Sequence, residues 1–165
     1  MKRLWTPWRM EYLVSEKHDG CVFCEKMASD ADRENLVLYR GQHACIMLNL
    51  YPYNTGHLMI IPRGHAPSLE DLDTETRQEI MDLINLSLRV LRKALKPHGF
   101  NIGVNIGRAA GAGISEHVHV HIVPRWEGDT NFMPIMAETR VMPELLTQTY
   151  DKLKAVLAHE QNQAG

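Results

Sequence analysis

Three histidines spaced two apart, His117, His119 and His121, alternate with Val118, Val120 and Ile122 and run into Val123-Pro124-Arg125. In an extended strand successive side chains point to opposite faces, so the imidazoles share one face at intervals of about 6–7 Å while the aliphatic residues face a core. A single histidine is most often a satisfied core residue or a solvated surface residue; three in register have no packing rationale. A neutral imidazole whose other nitrogen is pinned by an acceptor is a competent nucleophile at phosphorus, and a neighbouring imidazole can supply protons near neutral pH. Immediately upstream, Gly107-Arg108-Ala109-Ala110-Gly111-Ala112-Gly113-Ile114-Ser115-Glu116 is a stretch of small residues. Backbone amides in such a stretch approach an oxyanion closely because side chains stay out of the way. Glycine-rich turns are common, but this one joins the histidine strand directly, and the two together read as a nucleophile beside a phosphate cradle.

Cys21-Val22-Phe23-Cys24 is a second constellation. Residue types alone leave a redox pair, half of a zinc site, or chance. A thioredoxin-like role wants the pair at a helix N-terminus within a βαβ pattern, which the sequence lacks. A tetrahedral zinc site needs two further ligands. Cys45 lies in an apolar run and reads as a buried small hydrophobe. Three cysteines are too few, and odd in number, for a disulfide framework, so thiols or metal ligands in a reducing compartment are expected. Arg63, Arg108 and Arg125 read equally as neutralisers of distal phosphates and as surface charges. His18, His43, His98 and His159 have no partners in the pattern and read as surface or turn residues.

The elements that must position these groups are a mixture of strands and helices. Residues 36–40, 44–49 and 57–62 are short apolar or alternating runs bounded by Gly, Pro and Asn, which is strand punctuation. Their short links favour antiparallel pairing. From Thr74 to Lys96 the spacing of Ile80, Leu83, Ile84, Leu88, Leu91 and Leu95 predicts a helix, with Thr76 and Glu79 suiting a capping box and Asp73 an equally good start. Pro97 and Gly99 stop it. Strands follow near 101–106 and 117–123. Pro143 then opens a last helix whose apolar side is Leu145, Leu146, Tyr150, Leu153, Val156 and Leu157. The expectation is an α+β domain, an antiparallel sheet of about five strands with the long helix and the C-terminal helix packed on it.

The chain has 165 residues, 44% hydrophobic, enough for one core without disulfides or metal merely to fold. We expect a single domain over residues 1–160, with 1–20 as an N-terminal arm and 161–165 as a frayed tail. With 18 basic against 20 acidic residues the net charge is −2, which gives no overall attraction to nucleic acid or to an anionic membrane. The opening Met1-Lys2-Arg3-Leu4-Trp5-Thr6-Pro7-Trp8-Arg9 lacks the apolar run of a secretory signal, and no stretch approaches a membrane span, so a cytoplasmic location is expected.

His117 to Val123 resembles the histidine triad motif, His-φ-His-φ-His-φ-φ, of the HIT superfamily of nucleotidyl transferases and hydrolases. Gly56-His57-Leu58-Met59-Ile60-Ile61-Pro62 followed by His65 is similar to that family's second signature strand, and Asn105 precedes the glycine loop as in family members. The resemblance spans roughly residues 20–125 and implies a HIT-like fold. It implies His119 as the nucleophile that attacks an α-phosphate, with His121 and His57 flanking the phosphates. Asn49 is implied at the ribose hydroxyls, and Asn105, Gly113 and Ser115 along the phosphate chain. It nominates His65 and His117 to complete a structural zinc site with Cys21 and Cys24; no organic cofactor is implied. The loop lacks the glutamine many relatives carry before the triad. Ala110-Gly111-Ala112-Gly113, residues 124–133 and the tryptophan-bearing opening instead look like the diadenosine tetraphosphate phosphorylase-type branch, in which a small loop residue leaves space for inorganic phosphate. The resemblance therefore implies a dinucleoside polyphosphate phosphorylase or hydrolase. The alternatives are a purine nucleoside phosphoramidase and a nucleotide-binding scaffold with little catalysis. Family members pair into dimers, so a homodimer is expected, with Trp5, Trp8 and Trp126 read as packing anchors at a subunit contact rather than as a base-stacking platform.

Overall fold

A computed structural model describes residues 20–129 and 144–163. In chain order these form α1 (Val22–Ala28), β1 (Val37–Arg40), β2 (Ala44–Leu48), β3 (Leu58–Pro62), α2 (Thr74–Leu95), β4 (Gly99–Val104), β5 (Val120–Arg125) and α3 (Leu146–Gln163). Short 3-10 turns lie at Leu69–Asp71 and Arg108–Ala110. The five strands make one antiparallel sheet in the order β1-β2-β3-β5-β4. The expected α+β architecture is therefore present, with the last strand inserted between β3 and β4. No helix among the described residues is long and apolar enough to cross a membrane.

Alternation along the strands divides the sheet into two faces. Ala44, Ile46, Leu48, Leu58, Ile60, Val120 and Ile122 point into the larger core, which α2 and α3 cover. Cys45, Met47, Met59 and Ile61 point the other way and pack under Phe23 and Met27 of α1. The long helix buries Ile80, Leu83, Ile84 and Leu91 as its spacing predicts, with Leu88 and Leu95 only partly covered. Its start is set by Asp73, whose Oδ1 accepts the Thr76 N–H at 2.7 Å, rather than by a Thr76–Glu79 box. The Glu79 carboxylate instead takes the backbone N–H groups of Gln42, His43 and Ala44 in the β1–β2 turn. Lys96 closes the helix in the left-handed conformation, at φ 49°.

Three sequence expectations need correction. Leu145 is 68% exposed and precedes α3, whose buried side is Tyr150, Leu153 and Leu157. The fourth strand starts at Gly99 and the fifth at Val120, two residues earlier and three later than expected. The fifth starts late because residues 117–119 pair with the chain after β3 instead of a strand: Val118 N–H donates to Ala66 O at 2.7 Å, and the His117 ring reaches Pro62 O. Helix α1 had no separate expectation, since seven residues are too few for a periodic signal. The helix α3 runs to Gln163, into the segment expected to fray. Trp5, Trp8, His18 and Pro143 lie outside the described residues, while Trp126 is half-buried just after β5.

Candidate active site

The histidine face of β5 is the face that α1 covers. His121 is paired in register with Met59 of β3 and Gly103 of β4, and His119 and His117 continue the same alternation just before the strand. All three rings are shielded: His117 is 0% and His119 5% exposed, and His121 is half-buried. His57 enters from the residue before β3 and is also fully buried. Its position depends on Gly56, whose φ of +76° and closeness to Leu95 Cδ1, 2.5 Å from where a Cβ would sit, exclude any side chain.

Hydrogen bonds assign the protons on this cluster. The Tyr53 N–H donates to His57 Nδ1 at 3.0 Å, so the neutral His57 carries its proton on Nε2. That proton faces His121 Nδ1 at 2.9 Å. His121 therefore carries its own proton on Nε2. His119 donates from Nδ1 to the backbone oxygen of His117 at 2.9 Å, which leaves Nε2 as a free lone pair. The rings of His119 and His121 are adjacent, their centroids 4.7 Å apart. Burial, reinforced by the neighbouring imidazoles, pushes His57 down to about 3, and burial together with His119 pushes His121 down to about 4. Burial also lowers His119, opposed in part by its bond to His117 O. The cluster is uncharged at neutral pH, which keeps a lone pair on His119.

A cleft opens over His119 and His121. Asn49, Asn105, Gly111 and Gly113 line it, and Met47, Met59, Leu48, Leu50 and Ile114 supply apolar surface. The substrate-binding residues expected from sequence are thus brought together except Ser115, which is half-buried in the loop and does not line the cleft. Asn49 accepts the Tyr51 N–H on Oδ1 at 2.9 Å. Of the arginines considered, Arg63 donates to Gly41 O and Arg125 is bound to Asp129 and Asn101. Arg108 is exposed, and none of the three lines the cleft. The residues the sequence reading missed are Phe23, edge-on to His119 at 5.0 Å, Tyr53, 4.7 Å from the His57 ring, and Lys26. Only the Cys-x2-Cys spacing hinted at Phe23, because it brings the intervening residues along with the cysteines.

Behind the cleft, Cys21, Cys24, His65 and His117 bring their ligand atoms within 4.8 Å of one another. Cys21 Sγ lies 3.2 Å from His117 Nδ1, and Cys24 Sγ lies 3.5 Å from both His117 Nδ1 and His65 Nδ1. Tetrahedral zinc with bonds of about 2.0–2.3 Å requires ligand separations of roughly 3.5 Å, which these three separations match. His117 donates Nε2–H to Pro62 O at 2.8 Å, so its Nδ1 lone pair faces the thiols. The pair stands at a helix N-terminus, with Cys21 as the cap, but the strands around it are antiparallel, so no βαβ redox frame surrounds it. Cys45 is buried elsewhere on the sheet, its thiol pushed up to about 12 by desolvation.

The site is thus built from three alternating histidines leading into β5, a fourth just before β3, and a small-residue loop. The HIT domain family matches residues 31–128. The chain is 42% identical over 158 residues, 90% of this chain and 80% of the other, to an AP-4-A phosphorylase of Mycobacterium tuberculosis. Among solved structures it is similar to a zinc-bound histidine triad family protein from Mycobacterium smegmatis, at TM-score 0.70 and 29% identity, covering 87% of this chain and 97% of that one. It is also similar to a hypothetical histidine triad nucleotide-binding protein from Sulfolobus tokodaii, at TM-score 0.66 and 28% identity, covering 87% and 93%. The chain belongs to the HIT family.

Proposed function

We propose that the protein cleaves a nucleotide phosphoanhydride, diadenosine tetraphosphate or a close analogue, through a nucleotidyl-His119 intermediate. The observation that carries the reading is the His119 tautomer. Its Nδ1–H is held by His117 O, so the Nε2 lone pair faces the cleft. In the first step Nε2 attacks the α-phosphorus; the P–N bond forms and the bond from that phosphorus to the bridging oxygen breaks, releasing ATP. His121 Nε2–H, held in place through His57 and the Tyr53 N–H, donates to a phosphate oxygen. In the second step inorganic phosphate attacks the same phosphorus, breaks the P–N bond and leaves as ADP; water in its place gives AMP. Asn49 is assigned to the ribose and Asn105 with Gly113 to the phosphate chain, all three lining the cleft. Ser115 keeps its assignment near the phosphates only if the loop moves. The 42% identity to an AP-4-A phosphorylase supports this substrate and phosphate as the acceptor.

Zinc is assigned to Cys21, Cys24, His65 and His117 as a structural ion. Four protein ligands leave no open position, and the ion would tie α1 to the start of β5. The zinc-bound relative from Mycobacterium smegmatis agrees with this choice of metal. A homodimer is assigned because β4 ends the sheet with no strand beyond it among the described residues and exposes Ile102 at 47%. The free thiols fit a reducing cytoplasm.

Product analysis with diadenosine tetraphosphate, with and without inorganic phosphate, tests the assignment. Wild type is expected to give ADP plus ATP only with phosphate, and His119→Ala neither. AMP plus ATP without phosphate would establish hydrolysis, and no turnover would direct attention to nucleoside phosphoramidates.

A further inference from the structure

Lys26 puts a charge on the cleft wall where no motif predicted one. Together with Val22 and Phe23 it presents one face of α1 to the cleft, at positions i, i+1 and i+4. It is half-buried, forms no ion pair with another described residue, and no carboxylate among the described residues lines the cleft.

The sheet register shows which end of the cleft Lys26 occupies. His121, Met59, Met47 and Val37 form one row across β5, β3, β2 and β1. At about 4.8 Å per strand, Met47 lies roughly 10 Å from His121. Phe23 packs against His119, and the far end of α1 is held at β1 by Arg40, which donates to the carbonyls of Met27 and Ser29 at 2.6 and 2.5 Å. The helix therefore runs from the histidines toward β1, and Lys26 sits nearly a turn beyond Phe23, about 4.5 Å along the axis. The groups assigned to phosphate, His119, His121, Asn105 and Gly113, lie at the opposite, β5–β4 end. A nucleotide anchored there by its α-phosphate and laid along Met59 and Met47 brings its base, not its phosphates, to Lys26.

We propose that Lys26 is a specificity-determining residue whose ammonium donates to a ring-nitrogen or carbonyl acceptor on the edge of the bound purine. The proposal rests on the nucleotide reading of the cleft above. An ammonium offers donors only, so on adenine its partner is a ring nitrogen and not the exocyclic amino group.

Calorimetric titration of wild type, Lys26→Met and Lys26→Arg with AMP, adenosine and ribose 5-phosphate tests it, with thermal melts confirming that the variants fold. Lys26→Met is expected to weaken AMP and adenosine by the same factor, about tenfold for one charge-assisted hydrogen bond in a half-wet cleft, and to leave ribose 5-phosphate unchanged. Lys26→Arg should restore most of the loss. A loss confined to AMP and ribose 5-phosphate would overturn the proposal and assign the lysine to phosphate, and unchanged binding of all three probes would overturn it outright. If wild type bound neither AMP nor adenosine, the nucleotide reading itself would fall; wild-type binding with an indifferent Lys26→Met fails the lysine alone.

Discussion

At the residue scale the site is a set of proton positions. His119 and His121 each have one nitrogen committed to a fixed partner, so their free nitrogens have defined and opposite characters. Replacing His57 by Ala removes the group that holds the His121 proton on Nε2. We expect kcat to fall by about 10²-fold, the low end of what positioned proton donors contribute, with KM nearly unchanged. The same burial makes stability acid-sensitive. His57 and His121 titrate near 3 and 4 in the folded protein but near 6.5 when unfolded, so between those values the unfolded chain binds protons that the native one does not. Stability is then fully present above about pH 6.5 and is lost as pH falls below it. Each histidine withdraws roughly 2 kcal/mol on going to pH 5, measurable as a lower urea midpoint, and a flat profile from pH 7 to 5 would contradict the assigned protonation.

At the element scale two side chains far from the chemistry hold the pieces together. Glu79 of α2 accepts three amides of the β1–β2 turn, so the helix and the hairpin cannot shift independently. Glu79→Gln should cost about 1–3 kcal/mol in a denaturant titration, because one carboxamide oxygen cannot satisfy three donors. Gly56 is the corresponding backbone device before β3. Gly56→Ala combines a positive φ with a clash against Leu95, so it should destabilise by at least about 1–3 kcal/mol and displace His57, lowering activity together with Tm. Neither device was read from the sequence, where Gly56 entered only as part of a signature stretch. Glu79 had a local reading as a capping residue, and the stronger demand of three unpaired turn amides won its carboxylate once the turn was packed beside it.

At the scale of the whole molecule the cysteine–histidine cluster and the histidines lining the cleft share His117. Its ring faces the thiols, and its backbone oxygen holds His119. If the proposed zinc is bound, a chelator should lower Tm by at least about 5 °C and expose α1 to hydrogen exchange, while Cys45 stays protected in the sheet. A melt that does not respond to chelator would remove the ion from the architecture.

Features that repeat at short range were legible in the chain. Alternation in His117–Ile122 assigned the histidines to one face and the aliphatics to the other, and the 3.6-residue spacing from Ile80 to Leu95 specified the long helix, because period and side-chain direction are local properties of the backbone. Family resemblance added residues that no local pattern joins, such as Asn49, His57 and His65. The packing of the whole fold set which groups from distant segments meet. It brought Phe23 and Lys26 of a helix too short to predict against β5, set the His57 tautomer through the Tyr53 amide, committed Arg125 to Asp129, and moved Ser115 out of the cleft. Those outcomes depend on strand order, above all the insertion of β5 between β3 and β4, and pairing across 60 or more residues leaves no periodic trace in the chain.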